Sequence, residues 1–379
     1  MTSPNEQRPA SPDLPLRVST LELFFDLVFV FTITQLTSML ARDMSFAAAG
    51  RVLLIFALLW WMYGGYAWLT NTRTPSRVPE RLLLLLGMAG FLVIGLTIPG
   101  AFGSVAARGP DGVAFGLGYL AVVGVHSGLY LRANRNIWRI IPFNVASAVL
   151  VIIAGLVTAP AVYALWIAAF AVQVLAPAFV RLGGRFDVQP AHFAERHSGL
   201  MIVAFGESVA DVGIGAAGQR VTPALALSAV LGLALTAALW WAFFGTGEDD
   251  HAEEVMTGAD AARRPGLALA VYFYPYIPML LGIVAIAAGL KDALHHPEAT
   301  LAAGPGLALA GGVLLFMAGD VKFRRALGMD VPRYQVAAAV AALSAWPVAV
   351  AVSATAAIAL LTAVVAASLT AERLFLART

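Results

Sequence analysis

The stretch LELFFDLVFVF, residues 21–31, has the apolar composition of a membrane-spanning helix, but it also carries two acids, Glu22 and Asp26. A helix places residues four apart on the same face, so the two carboxyl groups share one stripe. Placing an aspartate at the centre of a bilayer costs about 2.5–3.5 kcal/mol on insertion scales. Acids in such a helix are therefore candidates for ion ligands, substrate ligands or proton relays.

The composition of the whole chain indicates an integral membrane protein. Of its 379 residues, 60% are hydrophobic and 12% are charged, and the mean hydropathy is +0.81. A soluble domain has about 25% charged residues, so this chain has too few polar side chains to cover a water-facing surface. The basic residues are scattered among short loops, which argues against nucleic acid as a partner. The absence of cysteine excludes disulfides, thiol chemistry and cysteine-ligated zinc.

Apolar segments of about 20 residues predict an all-α, polytopic membrane protein of about twelve transmembrane helices. Nineteen of the 24 Lys and Arg residues fall at the predicted loops of one side and five at those of the other. Because cytoplasmic loops are enriched in basic residues, we expect both termini in the cytoplasm. Residues 1–17 are polar and proline-rich and are predicted to form a mobile cytoplasmic tail, while 373–379 form the cytoplasmic C-terminus. The predicted spans are 19–41, 51–70, 82–104, 113–131, 138–157, 160–180, 198–218, 222–245, 266–290, 301–320, 334–351 and 354–371.

An internal repeat is indicated by two motifs that recur in the same order. The predicted seventh span reads GLMIVAFGESVADVGIG, and its acids Glu207 and Asp211 follow Glu22 and Asp26 at one constant offset. One span later, a Trp-Trp pair recurs at a slightly smaller offset. Since each half contains six spans, both halves would enter the membrane in the same direction, an arrangement found in secondary transporters. The predicted repeats are residues 18–181 and 182–372.

The paired acids are the leading candidates for a substrate-binding or ion-binding site. Glu207 lies near the middle of its predicted span, whereas Glu22 lies near the interface and could cap the first helical turn. No Lys or Arg is expected in the middle of any span, so either a cation lies between the acids of a pair or one acid holds a proton. The candidate site residues are Glu22, Asp26, Glu207, Asp211, Ser208, Gln35, His126, Trp60, Trp61, Trp240 and Trp241.

Each candidate also has an ordinary structural interpretation. Glu207 could be a protonated or hydrogen-bonded contact between helices, and His126 a packed hydrogen-bonding residue. The tryptophan pairs could belong to the aromatic belts at the membrane surfaces. Asp320, at the end of the tenth span beside Lys322 and Arg324, could form an interface ion pair. The chain has no nucleotide-binding glycine loop, no HExxH and no GxSxG motif, and we expect no enzyme activity, no metal site and no cofactor.

Several stretches resemble the bacterial low temperature requirement A (LtrA) family over about residues 15–375. The specific ones are STLELFFDLVFVFTITQL (19–36) and ERHSGLMIVAFGESV (195–209). The resemblance implies a multi-pass protein of the bacterial cytoplasmic membrane with a role in growth at low temperature, and it implies little chemistry. Matched by position, the family's acids are Glu22 and Asp26, and its Gly-Glu-Ser element is residues 206–208. Gly245 stands where the family often has an aspartate, and YFYPYIP (272–278) where it often has a histidine.

Three functional hypotheses follow from the sequence. The first is a secondary transporter, in which Glu207 and Asp26 approach one another near the axis between the halves and bind a proton or cation. The second is a membrane enzyme or redox subunit, which is disfavoured because no paired histidines for haem and no nucleophile–base motif are found. The third is a non-transporting membrane scaffold or sensor linked to low-temperature growth. The expected partners are the lipid bilayer and a small solute or ion, with no nucleic acid.

Overall fold

The computed structural model describes residues 17–72, 75, 77–103, 109–133, 138–179, 188–245, 247–330 and 333–376. Within these ranges the chain is helical and contains no strand. The predicted tail lies outside the described residues except for Arg17, as do the last three residues of the C-terminus. The helices are α1 Thr20–Arg42, α2 Phe46–Thr72, α3 Val78–Thr97, α4 Asp111–Ala133, α5 Ile141–Ala154, α6 Ala161–Phe179, α7 Pro190–Ala216, α8 Pro223–Phe244, α9 Glu248–Gly258, α10 Arg264–Ala268, α11 Tyr276–His295, α12 Ala303–Ala326, α13 Arg333–Ala341, α14 Ala345–Ala351 and α15 Ala354–Leu376.

Ten helical segments in the described part of the chain are long and apolar enough to cross a membrane. Two of them combine shorter elements: α10 and α11 lie in one segment, Arg264–His295, and α13 and α14 in another, Arg333–Ala351. Two further apolar helices, Ile141–Ala154 and Ala161–Ala176, are shorter. The chain is therefore a multi-pass helical protein, as predicted, while the number of twelve spans stays a prediction.

Local sequence signals explain where several helices begin. Ser19 caps α1 by accepting a hydrogen bond from the Glu22 amide, and the Glu22 side chain accepts one from the Ser19 amide, which together form a capping box. Thr222 caps α8 in a similar way through the amide of Leu225. Proline stands in the first turn of α7 and α8, where its missing amide hydrogen breaks no helical bond.

Helix α7 lies against α1, α8 and α11, and α1 also lies against α2, α3 and α11. The most extensive contact joins α11 and α12, where Gly282 and Gly312 let the two backbones meet. A Cβ atom built on Gly282 would lie 2.6 Å from the carbonyl oxygen of Gly312. Small residues permit this close approach between membrane helices.

The segment that contains α10 and α11 is interrupted by a π-helical turn, Leu269–Phe273. The amide of Tyr274 donates to the carbonyl of Leu269, and Pro275 follows directly. A π turn frees a backbone carbonyl from the regular helical pattern. The carbonyl of Phe273 accepts a hydrogen bond of 3.2 Å from Trp60 Nε1, which ties this turn to α2.

Candidate functional site

The first two turns of α1 and α7 bring four ionisable side chains together, which we call the first charge cluster: Glu22, Asp26, His192 and Arg196. His192 Nε2 lies 3.0 Å from Glu22 Oε1, and Arg196 Nη2 donates to Asp26 Oδ1 over 3.1 Å. All four side chains are buried. Glu22 therefore caps its helix, as expected, but it does not lie at an open interface.

One prediction from the sequence is wrong at this cluster. The seventh span was expected to begin at residue 198, which placed Arg196 in a loop and left the acids without a basic partner. Helix α7 begins earlier, at Pro190, so Arg196 lies in its second turn and faces both Glu22 and Asp26. The sequence signal was available, since Pro190 in a first turn marks a helix start.

The side chains around Arg196 hold its guanidinium in place. Arg196 also donates to the hydroxyl of Thr70 on α2. Its guanidinium carbon lies 5.5 Å from the ring centre of Phe25 and 5.4 Å from that of Tyr63. Behind His192, the side-chain amide of Asn71 lies 3.2 Å from Nδ1. The cluster thus joins three helices, α1, α2 and α7.

The four cluster residues occupy matching positions on their two helices. Glu22 and Asp26 are the third and seventh residues of α1, and His192 and Arg196 are the third and seventh residues of α7. The sequence separation between acid and base is the same in both pairs. At these matching positions α1 carries acids and α7 carries bases. Each acid contacts the base at the matching position directly.

A second charge cluster consists of Glu248, Asp320, Arg324 and Glu372, of which sequence reasoning singled out Asp320 and its neighbour Arg324. Arg324 Nε donates to Asp320 Oδ2 over 3.1 Å, and Nη1 donates to Glu372 Oε1 over 2.7 Å. Glu248, at the start of α9, forms the third ion pair with the same guanidinium. All four residues are buried. Asp320 was expected in an interface ion pair beside Lys322 and Arg324; it does pair with Arg324, but inside the protein.

Aromatic side chains lie between the two charge clusters. The ring of His197, next to Arg196, lies 4.9 Å from that of Tyr272 and 5.5 Å from that of Tyr276. The ring of Phe323, next to Arg324, lies 6.0 Å from that of Tyr272. Ring contacts through Tyr272 therefore connect residues that are adjacent to the two clusters.

Glu207 and Asp211, which we call the acid pair, lie elsewhere on α7. Asp211 is 1% exposed, and neither of its carboxylate oxygens has a hydrogen-bond partner among the described residues. It lies within electrostatic reach of Glu207 and of Lys291 on α11. Glu207 is half-buried and lines a groove between α1 and α7.

The structure does not bring Glu207 and Asp26 together across a polar cavity. Asp26 faces Arg196 in the second turn of α1, whereas Glu207 is the eighteenth residue of α7 and lies beside Phe31 and Thr34. Thr34 lies two helical turns beyond Asp26, which is roughly 12 Å of helix. The constant offset between the two acid pairs in the sequence therefore does not correspond to equal depth in the bundle.

The remaining candidates are dispersed. His126 is buried between α2 and α4, where its ring lies 5.3 Å from both Tyr66 and Tyr130. Ser208 is buried, and Gln35 is half-buried. The structure leaves the role of these three residues as a prediction.

The two tryptophan pairs differ in their surroundings. Trp60 is buried and Trp61 is half-buried, and both rings contact Phe273. Trp240 is 39% and Trp241 42% exposed, and Arg373 lies over the Trp241 ring. The second pair therefore faces outward instead of lining an internal cavity.

Comparison with known proteins identifies the family. The sequence profile described as bacterial low temperature requirement A protein (LtrA) matches residues 17–370, nearly the whole chain. The chain belongs to the LtrA family. Both charge clusters of this LtrA protein, apart from Glu372 in the second, and its acid pair fall within the matched region.

A similar protein is an uncharacterized protein of Rhizobium meliloti (strain 1021). It is 28% identical over 332 residues, which cover 83% of the present LtrA chain and 79% of that relative. The family assignment and the ten apolar helices together establish a multi-pass membrane protein.

Proposed function

We propose that this LtrA protein is a secondary transporter of the bacterial inner membrane, with both termini in the cytoplasm. In this proposal, twelve spans form two six-helix halves, residues 18–181 and 182–372, related by an axis along the membrane normal. Glu207 and Asp211 bind a proton or a cation, and the first charge cluster closes the cytoplasmic end of the path between the halves. No catalytic step is part of the proposal.

The pattern of helix contacts supports the repeat. In the first half, α1 contacts α2 and α3, α3 contacts α4, and α2 contacts α6. In the second half, α7 contacts α8 and α11, α11 contacts α12, and α8 contacts α15. These pairings correspond one to one when the spans are numbered within each half. Halves arranged in this way can rock against each other around a central site.

Asp211 is the single observation that carries the proposal. An unpartnered carboxylate in the protein interior is costly because it loses its water without gaining a hydrogen bond. A bound proton removes the charge, and a bound cation compensates it. Glu207, one helical turn before Asp211, adds a second carboxylate beside it. An acid that exchanges a proton or cation within a span is what a coupled transporter needs.

The first charge cluster supports a closed cytoplasmic end. It joins α1 of the first half to α7 of the second through two buried acid–base contacts. On this interpretation the contacts break when the halves separate, and the charges then become hydrated. In the proposal, the paired arrangement of this cluster belongs to a state that is closed at this end.

Crosslinking in the cysteine-free chain tests whether the halves move. A Cβ atom built on Gly199 lies 3.6 Å from Leu23 Cδ2, so Leu23→Cys with Gly199→Cys reports the α1–α7 contact. We expect the oxidative crosslinking yield in liposomes to change with pH or with Na⁺ concentration, and Asp211→Asn to abolish that dependence. The control pair is Gly232→Cys with Leu290→Cys, which joins α8 to α11 within one half and should give a constant yield.

Electrical recording on solid-supported membranes tests ion binding without a known substrate. A pH jump or a Na⁺ jump should displace charge in proteoliposomes that contain the full chain, and Asp211→Asn should remove the signal. Asp260→Asn, at an exposed position between α9 and α10, is the matched control. Equal signals from both variants, together with a constant α1–α7 crosslinking yield, would contradict the transporter and leave a scaffold or sensor.

A further inference from the structure

A groove of about 490 Å³ lies between α1 and α7. Its lining is apolar except for the Thr34 hydroxyl and the Glu207 carboxylate, and the Thr34 hydroxyl already donates to the carbonyl of Val30. Among the described residues no donor reaches Glu207. The residues that line the groove are Leu27, Val30, Phe31, Thr34, Val203, Gly206 and Glu207.

The groove faces outward into the hydrocarbon region. Large apolar side chains on both helices are exposed beside it, among them Phe24 and Leu27 on α1 and Ile202 and Val209 on α7. In a multi-pass membrane protein, such exposed apolar faces contact lipid tails. A ligand can therefore enter this groove sideways from the bilayer.

Glu207 lies beside the middle of α1. It shares the groove with Phe31 and Thr34, the twelfth and fifteenth of the 23 residues of α1. Phospholipid headgroups lie at the two ends of such a helix, roughly 15 Å from its middle. A lipid headgroup therefore does not reach Glu207, and a ligand that pairs with its carboxylate must bring a charged group into the hydrocarbon region.

We propose that the groove binds a small lipophilic cation, such as a hydrophobic amine or a cation with delocalised charge, as the transported substrate. This inference rests on the proposed transporter function. The apolar walls contact the body of the ligand, and the Glu207 carboxylate pairs with its positive charge. The volume of the groove is within the range of small-molecule sites.

The charges around the groove favour a cation over an anion. Glu207 and Asp211 contribute two carboxylates, and Lys291 is the one basic group within reach of Asp211 among the described residues. Attraction between opposite charges is strong where water is excluded. Because Asp211 lies one turn from Glu207, a cation bound at Glu207 also favours release of a proton from Asp211, which would couple the substrate to the ion.

Direct binding of radiolabelled tetraphenylphosphonium to the full-length protein in nanodiscs tests the inference. We expect saturable binding that Glu207→Gln weakens by at least about tenfold. The lipophilic anion tetraphenylborate, which has the same shape, should show no saturable binding when it is measured in separate samples. Equal retention of both ions would show an unselective apolar groove and would overturn the inference.

Two glycines of α7 supply a matched pair of variants. A Cβ atom on Gly206 or on Gly213 meets no atom within 4 Å, so a larger side chain fits at either position. Gly206→Leu fills the groove and should weaken tetraphenylphosphonium binding as much as Glu207→Gln does. Gly213→Leu, two turns further along the same helix face, should leave binding unchanged. Loss of binding in both glycine variants, or in neither, would contradict the groove as the site.

Flux measurements separate failure of this inference from failure of the transporter. If tetraphenylphosphonium does not bind while Asp211-dependent charge displacement and crosslinking changes persist, the substrate class is wrong and the transporter stands. If it binds in a manner that depends on Glu207 and Gly206 but shows no pH-driven flux in proteoliposomes, the site stands and the transporter is contradicted.

Discussion

Asp26 and Arg196 are each the seventh residue of their helices, and they meet in an ion pair of 3.1 Å between α1 and α7. Glu22 and His192 repeat the relationship one turn earlier, as the third residues. Residues from distant parts of the sequence thus form two adjacent acid–base contacts. Buried ion pairs of this kind are costly to break but contribute little beyond a well-packed apolar contact. Their most direct effect is to fix how the two helices align.

Arg196→Met should destabilise the protein strongly. It removes the partner of two buried carboxylates, and breaking a buried pair in this way costs about 3–5 kcal/mol. We expect a lower melting temperature in detergent by fluorescence-detected size-exclusion chromatography. Arg220→Met, at an exposed position, is the control and should stay within about 0.5 kcal/mol of the parent.

The variant that combines Glu22→Gln, Asp26→Asn and Arg196→Met extends this test. It should recover much of the stability lost in Arg196→Met, since no buried charge is then left without a partner. A triple variant less stable than Arg196→Met alone would show that the charges themselves do not cause the loss.

The second charge cluster should tolerate loss of a carboxylate better than loss of its guanidinium. Three acids face Arg324, so Asp320→Asn leaves two ion pairs in place, whereas Arg324→Met removes the cation that three buried carboxylates share. We expect Asp320→Asn to cost about 1 kcal/mol or less and Arg324→Met at least about 3 kcal/mol. Denaturant unfolding in detergent measures both. Similar losses in the two variants would contradict this account.

Glu248 should anchor α9 to the membrane-spanning helices. Its side chain is fully buried at the Arg324 guanidinium, while much of the rest of this acidic helix is exposed. Glu248→Ala should increase the rate of trypsin cleavage after Arg263, in the segment that follows α9, by several-fold because the helix opens locally more often. Glu254→Ala, at an exposed position of the same helix, should leave the rate unchanged. Gel analysis of limited trypsin digestion checks both.

Neighbouring glycines on α12 should respond in opposite ways to a methyl group. A Cβ atom on Gly312 would lie 2.7 Å from an Ile286 side-chain carbon and 2.8 Å from the Gly282 carbonyl oxygen, whereas one on Gly311 meets nothing within 4 Å. Gly312→Ala should therefore cost about 1–3 kcal/mol by overpacking. Gly311→Ala should be neutral or slightly stabilising, because alanine favours the helix. Thermal unfolding of the two variants, side by side, gives the comparison.

Trp60→Phe should cost about 1 kcal/mol because it removes the hydrogen bond to the Phe273 carbonyl at the π turn. Trp240→Phe, at the equivalent motif in the second half, should cost less because that ring faces outward. Thermal unfolding followed by tryptophan fluorescence measures both. Equal costs would show that the Trp60 bond to the π turn contributes nothing.

The sequence predicted the class of fold because apolar segments of sufficient length need no tertiary information to be recognised. It failed where polar residues extend a helix beyond its apolar part. PAHFAERH, at the start of α7, is too polar to be recognised as part of an apolar span, and its His192 and Arg196 are buried against Glu22 and Asp26. Partners so far apart along the chain cannot be read from local composition. The same reason hid Glu248 and Glu372 as partners of Arg324, because they come from two other helices, whereas Asp320 lies four residues away on the same helix.

The acids were correctly singled out as unusual, but their environments could not be distinguished in advance. Glu22 and Asp211 are both surrounded by apolar residues in the sequence. Glu22 is nevertheless paired with bases, whereas Asp211 has no hydrogen-bond partner among the described residues. The difference depends on which face of each helix meets a neighbour. The sides of α1 and of α7 differ little in polarity. Tertiary packing therefore determines which side of each helix meets a neighbour.

In the proposed two-half arrangement, the complementary charges at matching positions of α1 and α7 also restrict how the chain can arise from a shorter ancestor. A homodimer of the first half would place two glutamates and two aspartates face to face, and a homodimer of the second half would oppose two arginines. Neither half could then replace the other at the contact between α1 and α7. Gene fusion followed by divergence of charge would make the two halves obligate partners, so that expressing them as separate polypeptides should yield the heterodimer alone.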